Sequence, residues 1–232
     1  MEMPGEDTPP IAYLQRSAYS IARVEADPKT VQFAGGLEAA HNALKQTLRE
    51  IEDLEFEEQK KTAAYDTKDE HCDDEIEGFE LGLLALVKKN RDDDRYNRYF
   101  PNGLREITAS SRKDGPDRIQ QMLDTMKLDA NHADLGPLVA SWSPKITTTH
   151  DELIAAEQAL SNTEKALAFL KEKTLPTIMA DWRIEYKKLE GALTGVYASN
   201  PKKVGRFFKP FRKRRKDNKP TTSASAPTSA GG

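Results

Sequence analysis

The sequence is poor in the residue types on which several protein classes depend. Its 232 residues include one cysteine, Cys72, together with 16 valines and isoleucines and 7% aromatic residues. A single cysteine forms neither an internal disulfide nor a thiolate metal site, which is typical of a reducing compartment. Because β-sheets draw on β-branched and aromatic residues, this composition argues against β architecture.

Long apolar runs and catalytic motifs are also missing. No stretch approaches the ~20 apolar residues of a membrane span, and the first residues lack the basic region and apolar core of a signal peptide. The chain has no Gly-rich phosphate loop, no Ser-His-Asp hydrolase motif and no His-Glu-x-x-His zinc motif. We therefore expect a cytoplasmic protein that is not an enzyme and uses no cofactor.

Alanine, glutamate, leucine, lysine and arginine are abundant and make up 102 of the 232 residues. Such a composition favours long helices and coiled coils. Two lines of apolar residues spaced three or four apart, called seams below, predict long helices at about 29–95 and 135–198. A short helix at 11–24 precedes them, and a connector with a helix at 116–128 joins them.

Three features could interrupt the long helices. The first seam becomes polar at 58–69, where Thr67-Lys-Asp-Glu70 resembles a capping box and could start a new helix. Pro144 and Pro176 lie within the second pattern, where proline marks a kink or a boundary. One continuous rod and a compact four-helix bundle both remain open.

We predict an all-α fold built on a long antiparallel helical hairpin or coiled-coil bundle with kinked helices and short accessory helices. The bundle spans 11–200, and residues 1–10 and 220–232 are expected to be disordered.

Groups that might bind metal do not converge in the predicted helices. Glu38-Ala-Ala-His41 has the Glu-x-x-His spacing of di-iron bundles, and Asp129-Ala-Asn-His132 resembles it in a predicted loop. His71 and Cys72 lie about 100° apart on a helix, so they point in different directions. We predict no metal site.

The aromatic turn Tyr96-Asn-Arg-Tyr-Phe100 has two interpretations. Exposed aromatic side chains would make a partner-binding loop. Alternatively, the rings plug the end of the bundle, which is the interpretation we favour.

Charge is distributed unevenly along the chain. The net charge is −3, but residues 202–219 hold ten basic residues and one acid, a charge of +9, which leaves −12 for the rest. This basic segment, taken as 201–219, contains three of the eight phenylalanines. The predicted partner-binding residues are Lys202, Lys203, Arg206, Phe207, Phe208, Lys209, Phe211, Arg212, Lys213, Arg214, Arg215 and Lys216.

A dense positive field suits an anionic membrane, nucleic acid or an acidic protein. The phenylalanines could instead fold back onto the bundle. We expect a scaffold or adaptor that presents the basic segment, and that forms a homodimer through its seams. Alternatives are a nucleic-acid-binding protein and a peripheral membrane-associated coiled-coil protein. Kinked helices of this length are similar to those of membrane-curving BAR-type bundles, although a body charge of −12 disfavours a broad membrane-facing surface.

Overall fold

A computed structural model describes residues 3–5 and 7–209, and every regular element within them is a helix. The all-α prediction is confirmed, whereas coiled-coil packing stays a prediction. A 3₁₀ turn at Val31–Phe33 precedes α2, and a π-helical turn at Leu170–Thr174 separates α6 from α7. The α-helices are α1 (Pro10–Glu25), α2 (Ala34–Leu86), α3 (Asp94–Asn97), α4 (Arg105–Thr108), α5 (Gly115–Asp129), α6 (Gly136–Phe169), α7 (Leu175–Val196) and α8 (Pro201–Gly205).

The chain divides into two compact units. Unit 1 combines Met1–Lys45 with Ile178–Gly232, and unit 2 is Gln46–Thr177. Unit 1 therefore contains all of α1 and α8, the start of α2 and most of α7. The basic segment also belongs to unit 1.

In unit 1, α1 packs on α7 and on the start of α2 through one face. Its buried residues recur every three or four positions, and they are Tyr13, Ser17, Ser20 and Val24. The Tyr13 ring meets the edge of Trp182 at 4.8 Å, and Ser20 Oγ lies 3.4 Å from the Tyr186 hydroxyl. Leu37 and Leu44 complete this core.

The segment predicted to be disordered, 1–10, has contacts at the positions that the structure describes. Pro4 is buried, and the Gly5 carbonyl accepts a 3.4 Å hydrogen bond from Arg183 Nη2. Helix α1 begins at Pro10, where a proline costs no helical hydrogen bond.

Helix α2 begins later than about residue 29. Asp27 Oδ1 accepts a 3.1 Å hydrogen bond from the Lys29 amide, as a capping residue would. However, Thr30 Oγ1 donates to the Val24 carbonyl at 2.8 Å and keeps the chain in a tight turn. Regular helix follows only from Ala34.

Helix α2 continues through the polar stretch at 58–69. Thr67 does not cap a new helix, because its Oγ1 donates to the Ala63 carbonyl one turn earlier at 2.9 Å. The helix ends at Leu86 instead of about 95. The chain reverses there, with positive φ at Lys88 and Lys89, and the Lys89 amide donates to the Leu84 carbonyl at 2.7 Å.

In unit 2, α2 and α6 run antiparallel. The ion pairs Lys171–Glu55 (2.6 Å), Lys68–Glu152 (2.7 Å) and Lys145–Glu75 (4.0 Å) join descending positions of one helix to ascending positions of the other. The Trp142 indole of α6 lies directly over Gly78 of α2. Helix α5 packs against α6, with Ile119, Met122 and Met126 in the shared core.

The second long helix is interrupted at only one of its two prolines. Helix α6 passes through Pro144 without a break. Before Pro176, the Leu175 amide donates to Leu170, five residues back, which is the hydrogen bond of a π turn. The predicted helix at 135–198 is therefore α6, the π turn and α7.

Candidate anion-binding surface

The structure describes the first part of the predicted partner-binding segment. Lys202, Lys203, Arg206, Phe207, Phe208 and Lys209 lie within the described residues, whereas Phe211, Arg212, Lys213, Arg214, Arg215 and Lys216 lie outside them. Helix α8 begins the segment: Pro201 occupies the first turn, and Asn200 Oδ1 accepts a 3.1 Å hydrogen bond from the Lys203 amide. This cap sets the direction in which the segment leaves α7.

Phe207 anchors the segment to unit 1. Its side chain is 2% exposed and stacks on Tyr197, with ring centroids 5.9 Å apart. The Arg23 guanidinium lies 5.8 Å from the same ring. Phe208 is half-buried and meets Tyr186 edge-on at 5.1 Å. Both phenylalanines therefore contact unit 1, as in the fold-back alternative, and Phe208 stays partly exposed.

A charged node holds α8 against the turn that follows α1. The Lys203 ammonium lies 3.1 Å from Asp27 Oδ2 and 3.9 Å from the Tyr197 ring centroid. The Tyr197 hydroxyl donates to the same carboxylate oxygen. That hydrogen bond, with those from the Lys29 amide and Lys203, lowers the pKa of Asp27 to about 2. Lys203 is thus committed to an internal ion pair.

The other three described cations of the segment are exposed. Lys202, Arg206 and Lys209 are exposed, and within the described part of the chain none of them forms an ion pair. Helix α1 contributes to the same surface: the Tyr19 hydroxyl donates to the Arg206 carbonyl at 3.3 Å, and the Lys209 ammonium lies 5.6 Å from the Tyr19 ring. We call Arg23, Lys202, Arg206 and Lys209 the cationic cluster.

Sequence reasoning missed the contribution of α1. Tyr19 and Arg23 are four residues apart, so they share one side of the helix. That spacing was visible, but nothing local indicates that residues nearly 190 positions later pack beside it.

The division into units sharpens the charge asymmetry. Unit 1 has 17 basic and 10 acidic residues, a net charge of +7, whereas unit 2 has 18 basic and 28 acidic residues, a net charge of −10. Ten of the 18 cations of unit 2 are ion-paired with its carboxylates. The excess positive charge of unit 1 comes entirely from residues 202–219, because the rest of unit 1 has 7 basic and 9 acidic residues, a net charge of −2.

The groups considered for metal binding or catalysis have structural contacts. His41 Nδ1 lies 2.8 Å from Ser17 Oγ, but Ser17 is fully buried and out of reach of a substrate. Burial raises the pKa of the Cys72 thiol to about 11, so the reactive thiolate is scarce. Within the described residues, no group of three or more His, Cys, Asp or Glu side chains could hold a metal ion.

The aromatic turn fastens α3 to its neighbours. Tyr96, Tyr99 and Phe100 are 2%, 4% and 1% exposed, which agrees with the packing interpretation. The Tyr99 hydroxyl donates to the buried carboxylate of Asp129 at 2.7 Å, and the Tyr96 hydroxyl donates to Glu80 at 2.6 Å. Burial, together with the bond to Glu80, raises the pKa of Tyr96 to about 12.

Comparisons of the chain with family models, curated proteins and solved structures find no match. None of the described helices combines the length and apolar character needed to cross a bilayer.

Proposed function

We propose that this protein is a non-enzymatic helical scaffold or adaptor that presents a basic surface to an anionic partner. The observation that carries the proposal is the anchoring of the basic segment: Phe207 is buried in unit 1, while Lys202, Arg206 and Lys209 stay exposed. The anchored Phe207 lies beside Arg23, and Tyr19 of α1 contacts Arg206 and Lys209. The tail beyond Lys209 adds six more basic residues and one acid.

Fixed, unpaired cations favour a partner that carries many negative charges. Each basic residue near an anionic bilayer contributes about 1 kcal/mol, and neutralised phosphates of a nucleic acid release counterions. The peripheral membrane-associated coiled-coil protein and the nucleic-acid-binding protein are therefore the two alternatives within this proposal. An acidic protein is the third class of partner.

Charge reversal of the cluster tests the proposal directly. We expect the variant Lys202→Glu/Arg206→Glu/Lys209→Glu to bind its anionic partner at least about tenfold more weakly than the full wild-type chain. Suitable probes are phosphatidylserine vesicles, single-stranded RNA and polyglutamate, each assayed across a salt series, because ionic contacts weaken with salt.

The matched control is Lys61→Glu/Lys165→Glu/Lys173→Glu, which changes the net charge equally within unit 2. These three lysines form no ion pair in the described part of the chain. The control should bind within about twofold of wild type if position matters more than net charge. Equal losses in both variants, or a wild-type chain that binds none of the probes at low salt, would contradict the proposal.

A further inference from the structure

From Ile11 to Ala22 the outward face of α1 carries no charged side chain, and the exposed Glu25, the last residue of the helix, follows on the same side. Ile11, Gln15, Ala18 and Ala22 are exposed and recur every three or four positions, opposite the buried face of the helix. Exposed helix faces of globular proteins are usually charged or polar. Ile11 is 57% exposed, so a large apolar side chain stands in solvent on this face. We call these four residues the α1 face.

Three members of the cationic cluster, Arg23, Arg206 and Lys209, lie along one edge of the α1 face. Tyr19 lies at that edge with 36% of its surface exposed, and it contacts both Arg206 and Lys209. Arg23 lies one turn further along the same side of the helix. Between Thr8 and Val24 the chain contains no acidic residue, so the charged residues of α1 along this edge are basic; Asp7 and Glu25 lie just outside that stretch. The uncharged positions of α1 and the cationic edge therefore lie side by side in unit 1, with Tyr19 between them.

We propose that unit 1 binds anionic lipid bilayers peripherally through the α1 face and the cationic cluster. This inference rests on the proposed function, because it names the anionic partner. Short alanine side chains let the helix backbone approach a flat surface closely. Ile11 then enters the interface between headgroups and acyl chains, and Tyr19 lies at headgroup level, where tyrosine is enriched. Arg23, Arg206 and Lys209 contact the anionic headgroups.

Nucleic acid fits this surface less well. Phosphates gain nothing from Ile11 or from the alanines of the α1 face. Proteins that bind single strands stack successive bases on several exposed aromatic rings. Of the rings described at this surface, Tyr19 is exposed, Phe207 is buried and Phe208 is half-buried against Tyr186.

A second copy of this chain fits less well for an electrostatic reason. Pairing two α1 faces would bring together the cations that border each face, among them Arg206 and Lys209 beside Tyr19. Like charges at close range repel, and a contact that excludes water strengthens the repulsion. An anionic bilayer instead complements both parts of the surface at once.

Flotation of the full chain with vesicles tests the inference. The vesicles are pure phosphatidylcholine, or phosphatidylcholine with about one-third phosphatidylserine, the anionic lipid of cytoplasmic leaflets. We expect binding to the anionic vesicles only. The variant Ala18→Glu/Ala22→Glu places two acids at the centre of the α1 face and should lower the vesicle partition coefficient about tenfold or more.

Two further variants serve as controls. One tests whether the change in net charge alone weakens binding, and the other tests whether the added side-chain bulk does. Ala63→Glu/Ala64→Glu adds the same charges at exposed positions of α2 in unit 2, and binding should stay within about twofold of wild type. Ala18→Lys/Ala22→Lys adds side chains of similar bulk but positive charge, and it should retain or strengthen binding to the anionic vesicles. Circular dichroism melting of each variant establishes that the fold is intact before binding is compared.

Each outcome has a distinct meaning. If Ala18→Glu/Ala22→Glu binds the anionic vesicles as well as wild type, the α1 face is not the membrane contact, and the inference fails while the proposed function stands. If Ala18→Lys/Ala22→Lys binds as poorly as the Glu variant, side-chain bulk and not charge explains the loss, which contradicts the electrostatic part of the inference. If the chain binds RNA with a steep salt dependence but no vesicles, the inference fails in favour of the nucleic-acid alternative. If no anionic probe binds, the proposed function itself fails.

Discussion

At Lys88 and Lys89 the backbone has φ values of 55° and 63°, in the left-handed region that favours glycine. Two consecutive non-glycine residues reverse the chain after α2, and they do so because Val87 and Tyr96 are buried on either side of the turn. This conformation is costly for residues with a Cβ, so the packing of the helix end outweighs local backbone preference.

We predict that Lys89→Gly stabilises the protein by about 1 kcal/mol, because glycine adopts this conformation without a clash. The control Lys165→Gly lies at an exposed position of α6 and should destabilise by about 1 kcal/mol. Urea unfolding followed by circular dichroism measures both. If Lys89→Gly destabilises the protein instead, the lysine side chain stabilises the fold by more than its left-handed backbone conformation costs.

At Gly78, glycine is required by the lack of space for a side chain and not by the backbone φ. A Cβ at this position would overlap the Trp142 indole, lying 2.6 Å from Cζ3. We predict that Gly78→Ala destabilises by about 1–3 kcal/mol, despite the higher helix propensity of alanine.

Gly191 of α7 is the matched control, because a Cβ added at this position would meet nothing within 4 Å. Gly191→Ala should therefore stabilise by about 0.5–1 kcal/mol. A double-mutant cycle of Gly78→Ala with Trp142→Leu isolates the clash, and the loss should largely disappear in the Leu background. Equal effects of Gly78→Ala in both backgrounds would exclude Trp142 as the cause.

At the scale of the element, residues 201–209, which comprise α8 and the turn after it, have two roles. They carry exposed cations, and through Val204 and Phe207, which are 8% and 2% exposed, they complete the core of unit 1. Removal of the basic segment at its sequence boundary would therefore also remove core.

We predict that a chain ending at Asn200 loses about 3 kcal/mol or more of unfolding free energy, the range for deleting a buried phenylalanine. A chain ending at Lys209 keeps Phe207 and should unfold like the full-length protein. Thermal unfolding of the two truncations and the parent compares them. A stable chain ending at Asn200 would mean that the contacts of Phe207 contribute little.

The Asp27 node makes a pH-dependent link between elements. Because the folded pKa of Asp27 is about 2, below the ordinary 3.8, its carboxylate stabilises the fold above about pH 4. That contribution is lost as pH falls from 3.8 through about 2.

We predict that Tyr197→Phe raises the midpoint of the Asp27 carboxyl titration measured by NMR, because the Tyr197 hydrogen bond is the largest cause of the shift. Asp93 of unit 2 is the internal control: its bonds to Arg95 likewise lower its pKa to about 2, and its titration should not change. An unchanged Asp27 midpoint would assign the low pKa to the Lys29 amide and Lys203 instead.

At the scale of the whole molecule, the seams that suggested a homodimer are covered within one chain. Ile51, Leu160 and Leu167 are 8%, 2% and 5% exposed. The homodimer stays a prediction, but an exposed apolar seam is no longer an argument for it.

If a homodimer forms, it must use another surface, and the Gly78→Ala variant should leave its affinity unchanged because that contact is internal to unit 2. Light scattering at high micromolar concentration measures the oligomeric state of both proteins. If the wild-type protein is strictly monomeric, the homodimer prediction is wrong. If wild type is a dimer and only the Gly78→Ala variant dissociates, the dimer contact lies near Trp142.

Sequence periodicity by itself determined the helical class and the main helices, because a spacing of three or four identifies a buried helix face wherever it occurs. It placed α1 and α5 within one residue of their observed ends. It could not place the ends of α2, since tertiary contacts hold the turns at Thr30 and Lys88. Nor could it foresee the π turn, because a proline alone does not decide between a kink and a boundary.

The basic segment shows the same division. Its composition alone determined where positive charge concentrates, since charge depends only on residue identity. Only the tertiary structure decided which of the described members of that segment are exposed. Phe207 became an anchor and Lys203 an internal ion pair, while Arg23 and Tyr19 joined from α1. The physical reason is that burial and pairing are set by residues far apart in the chain, which no local pattern records.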